Sequence, residues 1–217
     1  MKYKAVIFDL DGTLLDTLED LANSMNSVLE SQSLPKHDIE KYKYFVGNGM
    51  RNLVMRTLPE DKREECFINY CHDLMKDEYK KRWAETTKPY DGIVEMLETL
   101  TSLKYKLAIL SNKPHDFTKL IVKELLDCCK FDVVFGERSG IPRKPDPAGA
   151  IEIANILNIP LEECVYLGDT GTDMVTAKSA GMYAVGVLWG FRKADELIKN
   201  GADVLIKTPM ELFTVLN

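Results

Sequence analysis

No apolar run in this 217-residue chain approaches the roughly 20 residues that a membrane-spanning helix needs. Positive charge is also short. Lys and Arg number 28 against 34 Asp and Glu, a formal net charge of −6. Binding nucleic acid without regard to sequence relies on cations that neutralise phosphates, so this balance argues against it. It leaves room for a small anionic substrate, provided a bound cation and local basic side chains reverse the sign at the site. Cysteine is sparse and unpatterned: Cys66, Cys71, Cys128, Cys129 and Cys164 are odd in number, and two are adjacent. That suits neither a disulfide framework nor a zinc knuckle, and the thiols read as small hydrophobes. Cys71-His72 near Cys66 lacks a fourth ligand. Of the three histidines, His37, His72 and His115, the last reads as a polar helix start. Ala5–Phe8 is too short for the core of a signal peptide and has no small-residue cleavage site after it, so a cytoplasmic protein is expected.

What is present is a repeated alternation. Ala5–Phe8, Leu107–Leu110, Val133–Phe135, Val165–Leu167, Ala184–Leu188 and Val204–Ile206 are short, apolar and rich in β-branched residues, as strands buried on both faces are. Between most of them lie helical patterns. Ile93, Met96, Leu97 and Leu100 recur at i, i+3, i+4 and i+7, as do Ala150, Ile153, Ala154 and Leu157. Strand and helix in alternation predict an α/β protein with a Rossmann-like, doubly wound parallel sheet. The stretch 16–87 breaks the pattern: it shows no strand and four helices, near Thr17–Gln32, Asp38–Phe45, Met50–Thr57 and Lys62–Trp83. It reads as an all-helical unit inserted into a core made of 1–15 and 88–217, with Pro35 and Thr86-Thr87-Lys88-Pro89 as candidate hinge or linker positions.

In an open parallel sheet, ligands sit beyond the carboxyl ends of the strands. Asp9-Leu10-Asp11-Gly12-Thr13 follows the first strand, Ser111-Asn112-Lys113 the second, and Gly168-Asp169-Thr170-Gly171-Thr172-Asp173 the fourth. Arg143-Lys144-Pro145-Asp146-Pro147 is a loop that opens a helix. Three strands thus empty into carboxylates, a hydroxyl, an amide and glycines. Bland readings exist for each piece taken alone. Asp11-Gly12 makes a turn, Lys144 a solvated lysine, and Asp173 a charge that favours the start of the following helix. Asp9, Asp169 and Asp173 together would repel one another unless a cation sat among them, and hard oxygen ligands sharing a site with phosphate point to Mg²⁺.

The four segments, in this order, resemble the motifs of the haloacid dehalogenase superfamily of phosphatases, and the insert matches that family's helical cap. The resemblance gives Asp9 the nucleophile's role, forming an aspartyl-phosphate, and gives Asp11 that of general acid and then base. It assigns Gly12, Ser111, Asn112 and Lys144 to phosphate binding. The metal ligands it implies are the Asp9 carboxylate, the Asp11 backbone carbonyl and Asp169, with Asp173 acting through water or by orienting the others. Asp11 also bears on reaction type. Expelling halide needs no proton, whereas expelling an alkoxide does, so an acid here favours phosphate esters over carbon–halogen bonds.

Within the insert, Val46-Gly47-Asn48-Gly49-Met50-Arg51 makes a tight turn into a helix whose free amides could meet an anion. This segment looks like the phosphoglycolate phosphatase branch, and Gly47, Asn48, Gly49 and Arg51 are the candidate substrate-specificity residues. A plain connector is the alternative, and Arg56 is equally readable as a solvated helix residue. The expected substrate is a small phosphate ester such as 2-phosphoglycolate, with no nucleic-acid or membrane partner, and with the chain a monomer or weak homodimer. A sugar phosphomutase of the β-phosphoglucomutase kind, an inorganic pyrophosphatase and a non-catalytic binding protein remain alternatives. Phosphonate hydrolysis would need a cap amine, and Lys36, Lys41 and Lys43 have no context that singles one out.

Overall fold

In the computed structural model, which describes residues 2–127 and 129–216, β1 (Ala5–Phe8) is the axis of the fold, with all four of its side chains buried. The strand alternates two apolar sets. Val6 and Phe8 join Leu107, Ile109, Val165 and Leu167 on one face of the sheet, and Ala5 and Ile7 join Ala108, Leu110 and Tyr166 on the other. The chain continues through a two-residue strand β2 (Leu15–Asp16) into α1 (Leu18–Ser31), α2 (Ile39–Phe45), α3 (Met50–Thr57) and α4 (Glu65–Arg82). It returns through β3 (Lys88–Pro89) and α5 (Ile93–Ser102). The remaining elements are β4 (Lys106–Pro114), α6 (His115–Leu125), β5 (Val133–Glu137), α7 (Ala148–Leu157), β6 (Cys164–Gly168), α8 (Gly171–Ser179), β7 (Tyr183–Val187), α9 (Ala194–Lys199), β8 (Val204–Ile206) and α10 (Leu212–Leu216).

Six strands form one sheet in the order β5-β4-β1-β6-β7-β8, all parallel. α5 buries Ile93, Met96, Leu97 and Leu100 on the Val6 face, while α7 and α8 bury Ala150, Ile153, Met174 and Ala177 on the Ala5 face. The doubly wound sheet read from the sequence is therefore the observed one. β1 sits at its centre, and the loops after β4, β1 and β6 leave side by side.

The stretch between β2 and β3 holds four α-helices and a short 3-10 turn at Glu60–Lys62, with α4 packed on α1 and α3. The candidate hinge or linker positions Thr86-Thr87-Lys88-Pro89 lie in a paired stalk. β2 and β3 pair antiparallel, Leu15 with Pro89 and Asp16 with Lys88. Just beyond them the buried Asp20 carboxylate accepts bonds from both the backbone N–H and the hydroxyl of Thr86 and of Thr87, at 2.7–3.1 Å. Thr86 and Thr87 are thus clamped to α1, and the two chain crossings leave the core as one ribbon. Cys66, Cys71 and Cys164 are free thiols, the last two buried as small hydrophobes; Cys128 lies outside the described residues.

Candidate active site

Asp9 lies one residue past β1, where its backbone N–H still donates to Leu167 O at 2.9 Å. The residue is 6% exposed. Lys144 reaches in from the loop before α7 and places Nζ 2.9 Å from Asp9 Oδ1 and 2.6 Å from Asp173 Oδ1. That loop is held in place by Asn112, whose side chain accepts from Lys144 N and donates to Lys144 O, both at 3.0 Å. Asp173 caps α8: Thr170 N and Oγ1 donate to its Oδ2 at 3.1 and 2.6 Å. Both Asp173 oxygens are therefore engaged, one by the helix start and one by Lys144. Asp169 accepts the Thr13 hydroxyl at 3.2 Å and Phe191 N at 2.8 Å.

One atom from each of Asp9, Asp169 and Asp173 falls within 4.8 Å of the others. Three buried carboxylates against one ammonium leave an excess of two negative charges. The electrostatics follow. Burial, and then the neighbouring charge of Asp173, hold the Asp9 carboxyl well above the usual carboxylate range. The same two causes push Asp169 up to about 7. Burial alone would lower the Lys144 ammonium, but Asp173 and Asp9 together outweigh it and raise it well above its ordinary value. A divalent cation matches both this excess charge and the all-oxygen donor set.

Gly12 makes the close approach possible. Its φ is +87°, and a Cβ there would collide with the Asp169 carboxylate and lie 2.9 Å from the Phe191 ring. On the far side, β4 is irregular between Leu110 and Pro114 in its pairing with β5, and Ser111–Lys113 fall in that interval. Ser111, Asn112 and Lys113 share a small cavity of about 40 Å³ with Asp9 and Asp11.

The insert closes that cavity. Val46, Gly47, Gly49, Met50 and Leu53 form its roof, with Leu21 beside them. Asn112 Nδ2 donates to Gly47 O at 3.0 Å and Arg192 to Val46 O at 3.1 Å, so the turn is tied to the core. Gly49 needs its glycine for its φ of +87°, and Arg143 Nη1 stands beside it.

A profile of the family described as "Haloacid dehalogenase-like hydrolase" matches residues 6–187. The chain belongs to that family. A phosphoglycolate phosphatase of Chromobacterium violaceum is 30% identical over 216 residues, covering 98% of this chain and 96% of the relative. One from Aquifex aeolicus is 29% identical over 214 residues, covering 99% and 97%. Among solved structures, a Lactobacillus delbrueckii protein assigned provisionally as a phosphoglycolate phosphatase superposes with a TM-score of 0.93 at 33% identity, covering 100% of this chain and 99% of that one. The sequence-based expectation of a family hydrolase of the phosphatase kind agrees with these names.

Within this haloacid dehalogenase-like hydrolase, Asp9, Asp11, Ser111, Asn112, Gly47 and Gly49 meet at one cavity. Gly12, Lys144, Asp169 and Asp173 gather directly behind Asp9. Two candidates go elsewhere. Arg51, read as a specificity residue, turns outward and pairs with Glu65 at 2.6 Å. The Asn48 side chain donates to Thr172 Oγ1 at 3.3 Å and accepts from Arg56 at 2.7 Å, which makes it a fastener of insert to core. Lys113 is the residue that the sequence reading passed over. It is 3% exposed at its side chain, lies 2.9 Å from Asp11 Oδ1, and sits 4.5 Å from the centroid of Tyr79, a buried residue of α4. Its signal was available in the Ser111-Asn112-Lys113 segment itself, which leaves the carboxyl end of a strand where ligands gather.

Proposed function

We propose that the chain is a Mg²⁺-dependent phosphatase that hydrolyses a small phosphate monoester, of the size of 2-phosphoglycolate, through an aspartyl-phosphate on Asp9. The observation that carries this reading is the shared cavity. Asp9, the carboxylate that Lys144 holds, opens into the same small space as Asp11, Ser111 and Asn112, beneath the Val46–Met50 turn.

In this reading the Asp9 carboxylate attacks phosphorus and forms an acyl phosphate, dividing one displacement into two. Asp11, two residues on, hands its proton to the leaving oxygen, and its carboxylate then takes one from the attacking water. Ser111 and the amide of Asn112 hold the transferred group, and Lys144 keeps Asp9 in place from behind. Lys144 contacts two carboxylates, and in phosphate binding its ammonium would be shared among Asp9, Asp173 and the transferred group. The Asp9 carboxylate, the Asp11 carbonyl and Asp169 would hold Mg²⁺, with Asp173 supporting them through Lys144 and the α8 cap. When bound, the ion supplies positive charge against the phosphoryl oxygens.

The insert, 16–87, serves as a cap over the core of 1–15 and 88–217, excluding water and framing the leaving group. The phosphoglycolate phosphatases among its relatives support a small ester as substrate over phosphoryl return to a sugar. The deciding experiment is phosphate release with Mg²⁺ from 2-phosphoglycolate, hexose phosphates, nucleotides and pyrophosphate. The expected result is the highest kcat/KM on the two-carbon ester and loss of activity in Asp9→Asn. Turnover that survives Asp9→Asn, or a preference for hexose phosphates, would overturn the reading.

A further inference from the structure

We propose that Lys113 is the counter-ion for an anionic group on the leaving group, so that the site selects small phosphate esters carrying a carboxylate. The inference rests on the phosphatase reading and names the residue that sets its substrate class.

The argument begins with the charges that face the cavity. Among the described residues lining it, the carboxylates are Asp9 and Asp11, and the only cation is Lys113. The roof and near wall are apolar, formed by Leu21, Val46, Met50 and Leu53. A carboxylate pressed against such a wall would be costly without a charged partner. The nearby cations are committed elsewhere. Lys144 lies between Asp9 and Asp173, Arg51 pairs with Glu65 at the surface, Arg143 lies 3.4 Å from Glu137, and Arg192 bonds Val46 O and lies 3.4 Å from Glu196.

Lys113 is differently placed. Its side chain is 3% exposed and, among the described residues, its one carboxylate partner is Asp11, at 2.9 and 3.3 Å. The Tyr79 ring covers it at 4.5 Å. An ammonium carries three donors, so a group already bonded to Asp11 can hold a second acceptor. Lys113 and Asp11 stand at the same wall, which puts the ammonium beside the group that protonates the leaving oxygen. In a two-carbon hydroxy acid the carboxylate is one carbon from that oxygen, within reach of an adjoining cation. Tyr79 comes from the insert and Lys113 from the core, so the ammonium is shielded from water when the two lie together, where its attraction for an anion is strongest.

The test compares two esters of equal carbon count, 2-phosphoglycolate and 2-hydroxyethyl phosphate, on the wild type, Lys113→Met and Lys113→Arg, all with Mg²⁺. The wild type should prefer the carboxylate ester. Lys113→Met should lose about a hundredfold or more in kcat/KM on 2-phosphoglycolate beyond whatever it loses on the neutral ester, much of it in KM, the order expected when a buried charge loses its partner. Lys113→Arg should recover part of that extra loss. Equal losses on both esters would mean that Lys113 acts only by placing Asp11, and would overturn the inference while leaving the phosphatase intact. A wild type indifferent to the carboxylate would do the same; a wild type inactive on both would remove the functional reading and this inference with it. Should Lys113→Met fail to fold, inhibition of the wild type by glycolate and by glycolamide decides the matter. Much tighter inhibition by glycolate supports the proposal, and equal inhibition overturns it.

Discussion

Replacing Lys144 by Met removes the one ammonium from a buried group of three carboxylates. Its Nζ lies 2.9 Å from Asp9 and 2.6 Å from Asp173. At an effective dielectric of about 20, each contact carries about 6 kcal/mol of gross attraction. Most of that is offset by the cost of burying the ions, and removing one member of a buried pair typically costs about 3–5 kcal/mol. For a chain of this length about 2–4 °C of melting temperature corresponds to each kcal/mol, so the metal-free variant should melt roughly 6–20 °C below the metal-free wild type. Mg²⁺ should narrow the gap, because a divalent ion supplies the charge that the variant lacks. Calorimetry or circular dichroism at mildly alkaline pH, with chelator and then with Mg²⁺, reads both effects. Equal melting of the two metal-free proteins would refute the view that Lys144 holds this charge cluster together.

Other consequences are as direct. Asp169 is pushed up to about 7 and Asp9 well above the carboxylate range, so the metal-free folded state holds protons that the unfolded chain has released. Since the unfolded state then binds fewer protons, stability should fall as pH rises from the unfolded carboxylate range, about 4, through neutrality, and denaturation midpoints in chelator should show that slope. A midpoint that rises over the same range would contradict it. Asp20→Ala strips the buried acceptor from two backbone N–H groups and two hydroxyls, and at about 1–3 kcal/mol per unsatisfied group it should destabilise the fold by several kcal/mol. Faster proteolysis at Thr86-Thr87 should accompany that loss, and an unchanged denaturation midpoint would count against the clamp. Asp11→Asn should cost far less on an aryl phosphate, whose leaving group needs little protonation, than on an alkyl phosphate. Equal losses would remove the acid role.

How much of this was legible in the sequence depends on the distance between the signal and its partner. β1 reads as a buried strand because its four residues are apolar without a break, and the carboxylates after it could be placed because parallel sheets gather ligands at one edge. The sequence places α3 at its own bounds, Met50–Thr57, where a glycine turn leads into it. The β2–β3 ribbon went unread because two-residue strands show no period, and its partners are far apart in the chain. The Arg51 ion pair is hidden for a related reason. The residue's position at a helix start could be read, but its partner Glu65 lies on the next long helix, and only packing brings the two together. Asp173 was legible as a helix-start charge, but its bond to Lys144 belongs to the assembled site.

The most direct test of the central claim is chemical trapping of the nucleophile. The enzyme is mixed with substrate and Mg²⁺, quenched during turnover, treated with borohydride and digested for peptide mass mapping. Borohydride reduces an acyl phosphate to an alcohol, so homoserine should appear at residue 9 in the wild type and be absent without substrate. An unreduced Asp9 together with a reduced carboxylate elsewhere in the chain would contradict the account.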